Sequence, residues 1–478
     1  MLFNSIGFAL FLPTVFILYW FVAGNNLKKQ NILLLAASYF FYGCWDYRFL
    51  LLLLFSTVLD FFTGIRIDRA AKPSARKAWL LVSVCINLGL LGFFKYYNFF
   101  IENFTALLRH AGYRGGAYML NIILPVGISF YTFHGLSYVF DLYRRKIKPS
   151  TNFINYAVFV GFFPLLIAGP IERAMHLLPQ VERPRHFDQA RASDGLRQIL
   201  WGLFKKMVIA DNCAFYTDNV YAHIASQPGS TLLLSSILFS LQIYADFSGY
   251  SDIAIGTGKL LGFDILRNFA YPYFSRDIAE FWRRWHMSLT SWFRDYLYIP
   301  LGGSTCGKGR TIRNIMIVFL VSALWHGARW TYICWGVIHA LFFLPLLLSN
   351  SNRKHITIAA QGRFLPSLKE ALQIIVTFGM VSFAWIFFRA ETMEQARSYI
   401  SRLFSASFFQ RPQPFNPFAG LAILLLMAVE WMGREQEYAL AGMGLKWSRY
   451  IRWSLYYSII ALILLTSGRT QQFIYFQF

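Results

Sequence analysis

Two histidines lie in tryptophan-rich apolar sequence: His286, closing Phe281-Trp282-Arg283-Arg284-Trp285-His286, and His326, within Leu324-Trp325-His326-Gly327-Ala328. An imidazole changes charge near neutral pH, so it can take a proton from a hydroxyl and return it. A lone histidine in apolar sequence is ordinarily a hydrogen-bonded core residue. Within a membrane span the balance shifts, because an ionisable group there is costly and tends to face a cavity or pathway. His326 has that setting, after the apolar run Ile315 to Leu324 and before another from Trp330 to Leu348. His286 has a weaker claim, since Arg283 and Arg284 beside it point to a membrane surface.

Between the histidines lies a basic loop, Gly302-Gly303-Ser304-Thr305-Cys306-Gly307-Lys308-Gly309-Arg310. Its spacing imitates a phosphate-binding P-loop, but Gly309 stands where the magnesium-binding hydroxyl belongs and no buried strand precedes it. Lys308, Arg310 and Arg313 can still hold the phosphates of an anionic donor; the alternative is a set of charges that fixes membrane orientation. A further polar segment, Tyr244-Ala245-Asp246-Phe247-Ser248-Gly249-Tyr250-Ser251-Asp252, interrupts apolar sequence. Such groups either line a wet cavity or pair with one another or with nearby arginines. His134, after Pro125 and Gly127, adds another polar group at expected membrane depth.

These groups need a scaffold, and composition indicates which. Hydrophobic residues make up 56% of the chain and charged residues 14%, with apolar runs recurring throughout. Backbone hydrogen bonds must be satisfied within lipid, so runs of about 20 apolar residues read as helices. Short alternating strands of a membrane barrel are not seen. The net charge of +22 would point to nucleic acid in a soluble protein. Here the cations gather in short loops between spans, which argues against nucleic acid and for membrane lipid or an anionic ligand. Cys44, Cys85, Cys213, Cys306 and Cys334 show neither metal-ligand nor disulfide-framework spacing.

The expected fold is an all-α polytopic membrane protein, one domain over residues 1–478, with roughly eleven spans plus re-entrant or amphipathic segments. The first spans are Ile6 to Ala23, Asn31 to Cys44, Phe49 to Ile65, Trp79 to Phe94 and Leu120 to Leu142. Lys28 and Lys29, Arg66 to Lys77 and Arg144 to Lys148 then fall on the cytoplasmic side, with the N-terminus outside. Phe153 to Ala168 is too short for a plain span and reads as re-entrant. Later spans include Leu232 to Tyr244, Ile374 to Phe388, Phe418 to Met432 and Trp453 to Leu465, with Met393 to Phe404 amphipathic.

The motifs around both histidines, together with Trp292-Phe293-Arg294-Asp295-Tyr296-Leu297-Tyr298-Ile299-Pro300-Leu301-Gly302-Gly303, resemble the membrane-bound O-acyltransferase (MBOAT) family. The closest resemblance is to its bacterial alginate O-acetylation branch. Asp246 to Asp252, Gly169-Pro170-Ile171, Trp385-Ile386-Phe387-Phe388-Arg389 and Tyr475-Phe476-Gln477-Phe478 are similar too. His134 departs from the family, which has Gln there.

The resemblance implies helices around a central funnel, with His326 catalytic at its constriction and His286 lining the cytoplasmic approach. Tyr244, Asp246, Ser248, Tyr250, Asp252, Trp285, Trp325 and His134 are the expected substrate-binding or funnel-lining residues. The implied reaction takes an acetyl group from a cytoplasmic donor, acetyl-CoA, with no tightly bound cofactor and no metal. The acceptor would be an extracytoplasmic polysaccharide such as alginate, served through an extracytoplasmic partner acetyltransferase, and the location the bacterial inner membrane. Rival readings are acylation of a lipid or protein, D-alanylation of a cell-wall polymer, and a transporter or channel. A transporter should show internal repeats, and none is seen.

Overall fold

Pro125 and Gly127 decide where one helix begins. Pro125 has no N–H to donate and Gly127 takes a left-handed backbone (φ 76°), so the helix runs Ile128–Tyr143 and residues 118–127 are not helical. The expected span from Leu120 therefore starts eight residues late. The computed structural model describes residues 1–478 except 113, 114, 117, 306, 467–470, 472 and 475–478; Cys306 and the terminal Tyr475-Phe476-Gln477-Phe478 thus lie outside the described residues. Among the described residues every regular element is a helix.

Two compact units divide the chain: Met1–Gln189 with Gly258–Ile265, and Ala190–Thr257 with Leu266–Phe478. In the first, Arg48–Arg69 and Pro73–His110 pack with Ile128–Tyr143. A polar knot ties two of these helices: buried Asp60 accepts from Ser83 Oγ at 2.6 Å and from Asn87 Nδ2 at 2.8 Å. Phe153–Gly161 ends at Phe162 and is followed by a single turn, Phe163–Leu166. This broken pair, buried from Tyr156 to Leu166, stands where sequence length rules out a plain span.

In the second unit, Gly229–Leu260 runs without interruption through Tyr244 to Asp252, where sequence reading expects a polar break. Lys308–His326 and Trp330–Leu348 form an antiparallel pair, and Leu368–Arg389 packs on the latter. A Ser367–Glu370 capping box starts that last helix, satisfying two backbone donors reciprocally.

Among the described residues five helices are long and apolar enough to cross a membrane: Arg48–Arg69, Pro73–His110, Gly229–Leu260, Trp330–Leu348 and Leu368–Arg389. Ile6–Val22 and Pro417–Met432 are shorter apolar helices. The protein is a multi-pass, all-helical membrane protein.

Candidate functional site

Asp277 caps the Ile278–Arg284 helix by accepting from Glu280 N, and the helix stops at Trp285. His286 then takes a left-handed backbone (φ 42°, ψ 54°) before Met287–Phe293 begins. That conformation costs a residue with a Cβ about 1–2 kcal/mol. The segment 268–270 holds it: Met287 N donates to Asn268 O (2.9 Å), Ala270 N to Arg284 O (3.0 Å) and Ser288 Oγ to Asn268 Oδ1 (2.6 Å). The His286 ring is buried edge-on to Phe247 at 4.7 Å and Trp325 at 5.9 Å.

His326 is the last residue of the Lys308–His326 helix and is also buried. Its ring meets Trp325 at 4.9 Å, Trp335 at 5.2 Å and Phe388 at 5.3 Å. Trp325 therefore touches both histidines, which the fold brings to one aromatic cluster. A Cβ at position 327 would lie 2.3 Å from the Tyr332 ring, so only glycine lets the chain turn so tightly behind His326.

Beside this cluster is a mainly apolar cavity of about 260 Å³, lined by Trp282, Leu289, Thr290, Phe293, Val318, Phe319, Ser322 and Phe343 among others. Ser322 precedes His326 by four residues, one helical turn. A second cavity of about 410 Å³ is lined by Gly307, Lys308, Thr311, Asn350, Asn352 and Arg353. The two share Ser304, Leu347, Asn352 and Arg353, so they adjoin. Arg310 and Arg313 are exposed outside these linings, and Arg313 turns to Asn314 Oδ1. Arg353 supplies the second cation instead.

The arginines of the first motif hold the loop that carries Arg353. Arg283 donates to Asn352 O at 2.8 Å and to His355 O at 2.6 Å, while Arg276 and Arg284 donate to Thr357 O. Glu280, buried, pairs with both Arg276 and Arg284. In the same loop, partial burial and then the neighbouring Arg276 charge lower the His355 pKa from its ordinary 6.5.

The Tyr244 to Asp252 segment pairs mainly with lysines. Lys206 bridges Asp211 and Asp246, each at 2.8 Å, and Lys205 meets Asp252 at 2.5 Å. A π-helical stretch, Phe204–Ala210, buries both lysines. The backbones come this close because Gly202 and Gly249 face each other: a Cβ on Gly202 would lie 2.6 Å from Gly249 O. Tyr244 donates to Glu430, at 2.8 and 2.9 Å to the two carboxylate oxygens. Tyr244, Ser248, Asp252 and Glu430 line a cavity of about 20 Å³, room for a water rather than a substrate. Tyr250 packs on Phe473, and Trp285 lies 5.1 Å from Trp385. His134 belongs to the first unit, where its Nε2 accepts from Glu172 N.

Sequence reasoning does not single out Arg353, Lys205, Lys206, Glu430 or His339. Glu430 and His339 carry the signal that marks His326, an ionisable group inside an apolar run. Arg353 lies in a loop and carries no such signal.

The membrane-bound O-acyltransferase family model matches residues 142–390. The chain is 37% identical over 445 residues to the Pseudomonas aeruginosa protein named "Probable alginate O-acetylase AlgI", covering 92% of this chain and 82% of that one. The protein of the same name from Pseudomonas putida is 35% identical over the whole of both chains. A peptidoglycan O-acetyltransferase of Helicobacter pylori is 34% identical, covering 83% of this chain and 78% of its own. The matched region contains both histidines and both cavities, and the chain belongs to the membrane-bound O-acyltransferase family.

Proposed function

We propose that this O-acyltransferase moves an acetyl group from acetyl-CoA to a receiving hydroxyl on the way toward an extracytoplasmic polysaccharide of the alginate type, with His326 as general base and His286 as its partner. One observation carries the reading: a single helix has Lys308 at its first residue, lining the basic cavity, and His326 at its last, in the aromatic cluster. CoA phosphates suit Lys308 and Arg353, and the pantetheine arm, long and largely apolar, suits the inner cavity. His326 takes the acceptor's hydroxyl proton, the oxygen attacks the thioester carbonyl, the C–S bond breaks, and the proton passes to the departing thiolate. The acetyl group reaches the polysaccharide through an extracytoplasmic partner transferase, and the protein works in the bacterial inner membrane as a single domain of roughly eleven spans. The names of the Pseudomonas relatives support the polysaccharide acceptor; that of the Helicobacter relative favours a second reading, in which peptidoglycan receives the acetyl group.

The test is transfer from radiolabelled acetyl-CoA by purified variants, with thermal melting as the folding control. His326→Ala loses about 10²- to 10⁴-fold in turnover while staying folded, and His286→Ala loses less. Lys308→Gln and Arg353→Gln raise KM for acetyl-CoA more than they lower kcat, because phosphates are remote from the reacting carbonyl. Arg310→Gln and Arg313→Gln change KM less. Near-normal turnover by folded His326→Ala removes the assignment. Label recovered in peptidoglycan rather than alginate selects the second acceptor.

A further inference from the structure

His339, on the Trp330–Leu348 helix, is completely buried, and neither ring nitrogen has a hydrogen-bond partner among the described residues. Its imidazole lies nearly parallel to the rings of Phe281 (6.2 Å, planes 5° apart) and Phe319 (6.4 Å, 10°). Trp282 and Trp335 approach it edge-on, at 4.9 and 5.1 Å. Their indole nitrogens, buried as well, also lack acceptors. Three side chains able to donate an N–H thus meet in one aromatic cluster, with no acceptor for them among the described residues. A phenylalanine at position 339 would fill the space without an unmet polar group, so packing alone does not account for a histidine there.

The position of the cluster gives the donors a use. Trp282 and Phe319 are walls of the inner apolar cavity, and Trp335 lies 5.2 Å from His326 on its other side. We propose that Trp282, Trp335 and His339 form a carbonyl-receiving cluster for the thioester end of the acyl donor, an inference that rests on the donor reading above. The Trp282 side chain turns about its own single bonds to open the cluster to the cavity. A carbonyl oxygen then accepts from the indole N–H groups and from the protonated nitrogen of neutral His339. When the acceptor oxygen attacks, that carbonyl oxygen gains negative charge, and donors already held in a water-poor cluster stabilise it. No bond to the cluster forms or breaks.

Trp282→Phe, Trp335→Phe and His339→Phe each keep an aromatic ring and remove the N–H. Purified variants are assayed with acetyl-CoA for kcat and KM, and melted in parallel. A melting temperature at or above the parent's is expected for His339→Phe and a lower one for the two smaller Trp→Phe rings, together with a kcat lowered by about 10²- to 10³-fold for at least one variant, the loss typical of one oxyanion donor. His339→Gln, which restores an N–H, recovers part of the loss. Normal kcat in all three Phe variants overturns the proposal, as does loss of folding in all three, which assigns the cluster to packing. Ser322→Phe, which fills the inner cavity, separates the two readings. An unchanged KM in Ser322→Phe removes the donor route and the cluster's role with it, whereas a raised KM beside normal Phe variants removes the cluster alone.

Discussion

Lys206 is a cation enclosed by helices, 7% exposed at its side chain and shared between Asp211 and Asp246. Replacing it with methionine conserves bulk but leaves two buried carboxylates without their counter-charge. Breaking a buried pair in this way costs about 3–5 kcal/mol. Lys206→Met should therefore melt well below the parent in detergent, and adding Asp246→Asn should recover part of the difference. A Lys206→Met protein as stable as the parent would show that the charge is screened or replaced. His326 and His286 are legible from sequence because an ionisable ring in apolar sequence stands out. Adjacent Lys205 and Lys206 are not, since neighbours on a regular helix diverge by about 100°. Both are buried because the stretch Phe204–Ala210 is enclosed on every side, which no residue type announces.

Helices are legible to the extent that apolar length defines them. Arg48–Arg69 and Trp330–Leu348 stand almost where their apolar runs do. Boundaries drift where backbone chemistry intervenes, as at Pro125 and Gly127. They drift again where polar residues find partners: Gly229–Leu260 continues through its carboxylates because lysines neutralise them. The short Ala174–Glu182 helix carries a pH-dependent contact, His176 Nδ1 at 2.8 Å from Glu172 Oε2. The Glu172 hydrogen bond, outweighing partial burial, raises the His176 pKa above its ordinary 6.5. A raised folded-state value means that the contact stabilises fully below about pH 6.5 and fades as pH rises through the shifted value. The melting-temperature gap between parent and His176→Gln should therefore be widest in mild acid and close toward alkaline pH. A gap that widens with pH would reverse the sign and refute the pairing.

For the whole molecule, Lys/Arg placement sets an orientation that can be measured. Pro73–His110 spans about 57 Å at 1.5 Å per residue, well beyond a hydrocarbon core of about 30 Å. Oriented across the bilayer, as Lys/Arg placement expects, it would hold its two ends in water on opposite sides. Single cysteines at Ser74 and Asn103, in a background lacking the native thiols, should label from the cytoplasmic and external faces respectively. Labelling of both from one face would discard the orientation. The lysine pairs of the π-helical stretch also bear on how the chain is made. Lys205 and Lys206 leave the ribosome before Asp246 and Asp252, their partners on the following long helix. Until that helix is synthesised, Lys206 has only Asp211 as a counter-charge and Lys205 lacks its Asp252, and lipid is a poor solvent for ammonium groups so placed. Insertion of this stretch is therefore expected to follow, rather than precede, synthesis of the helix that carries Asp246 and Asp252.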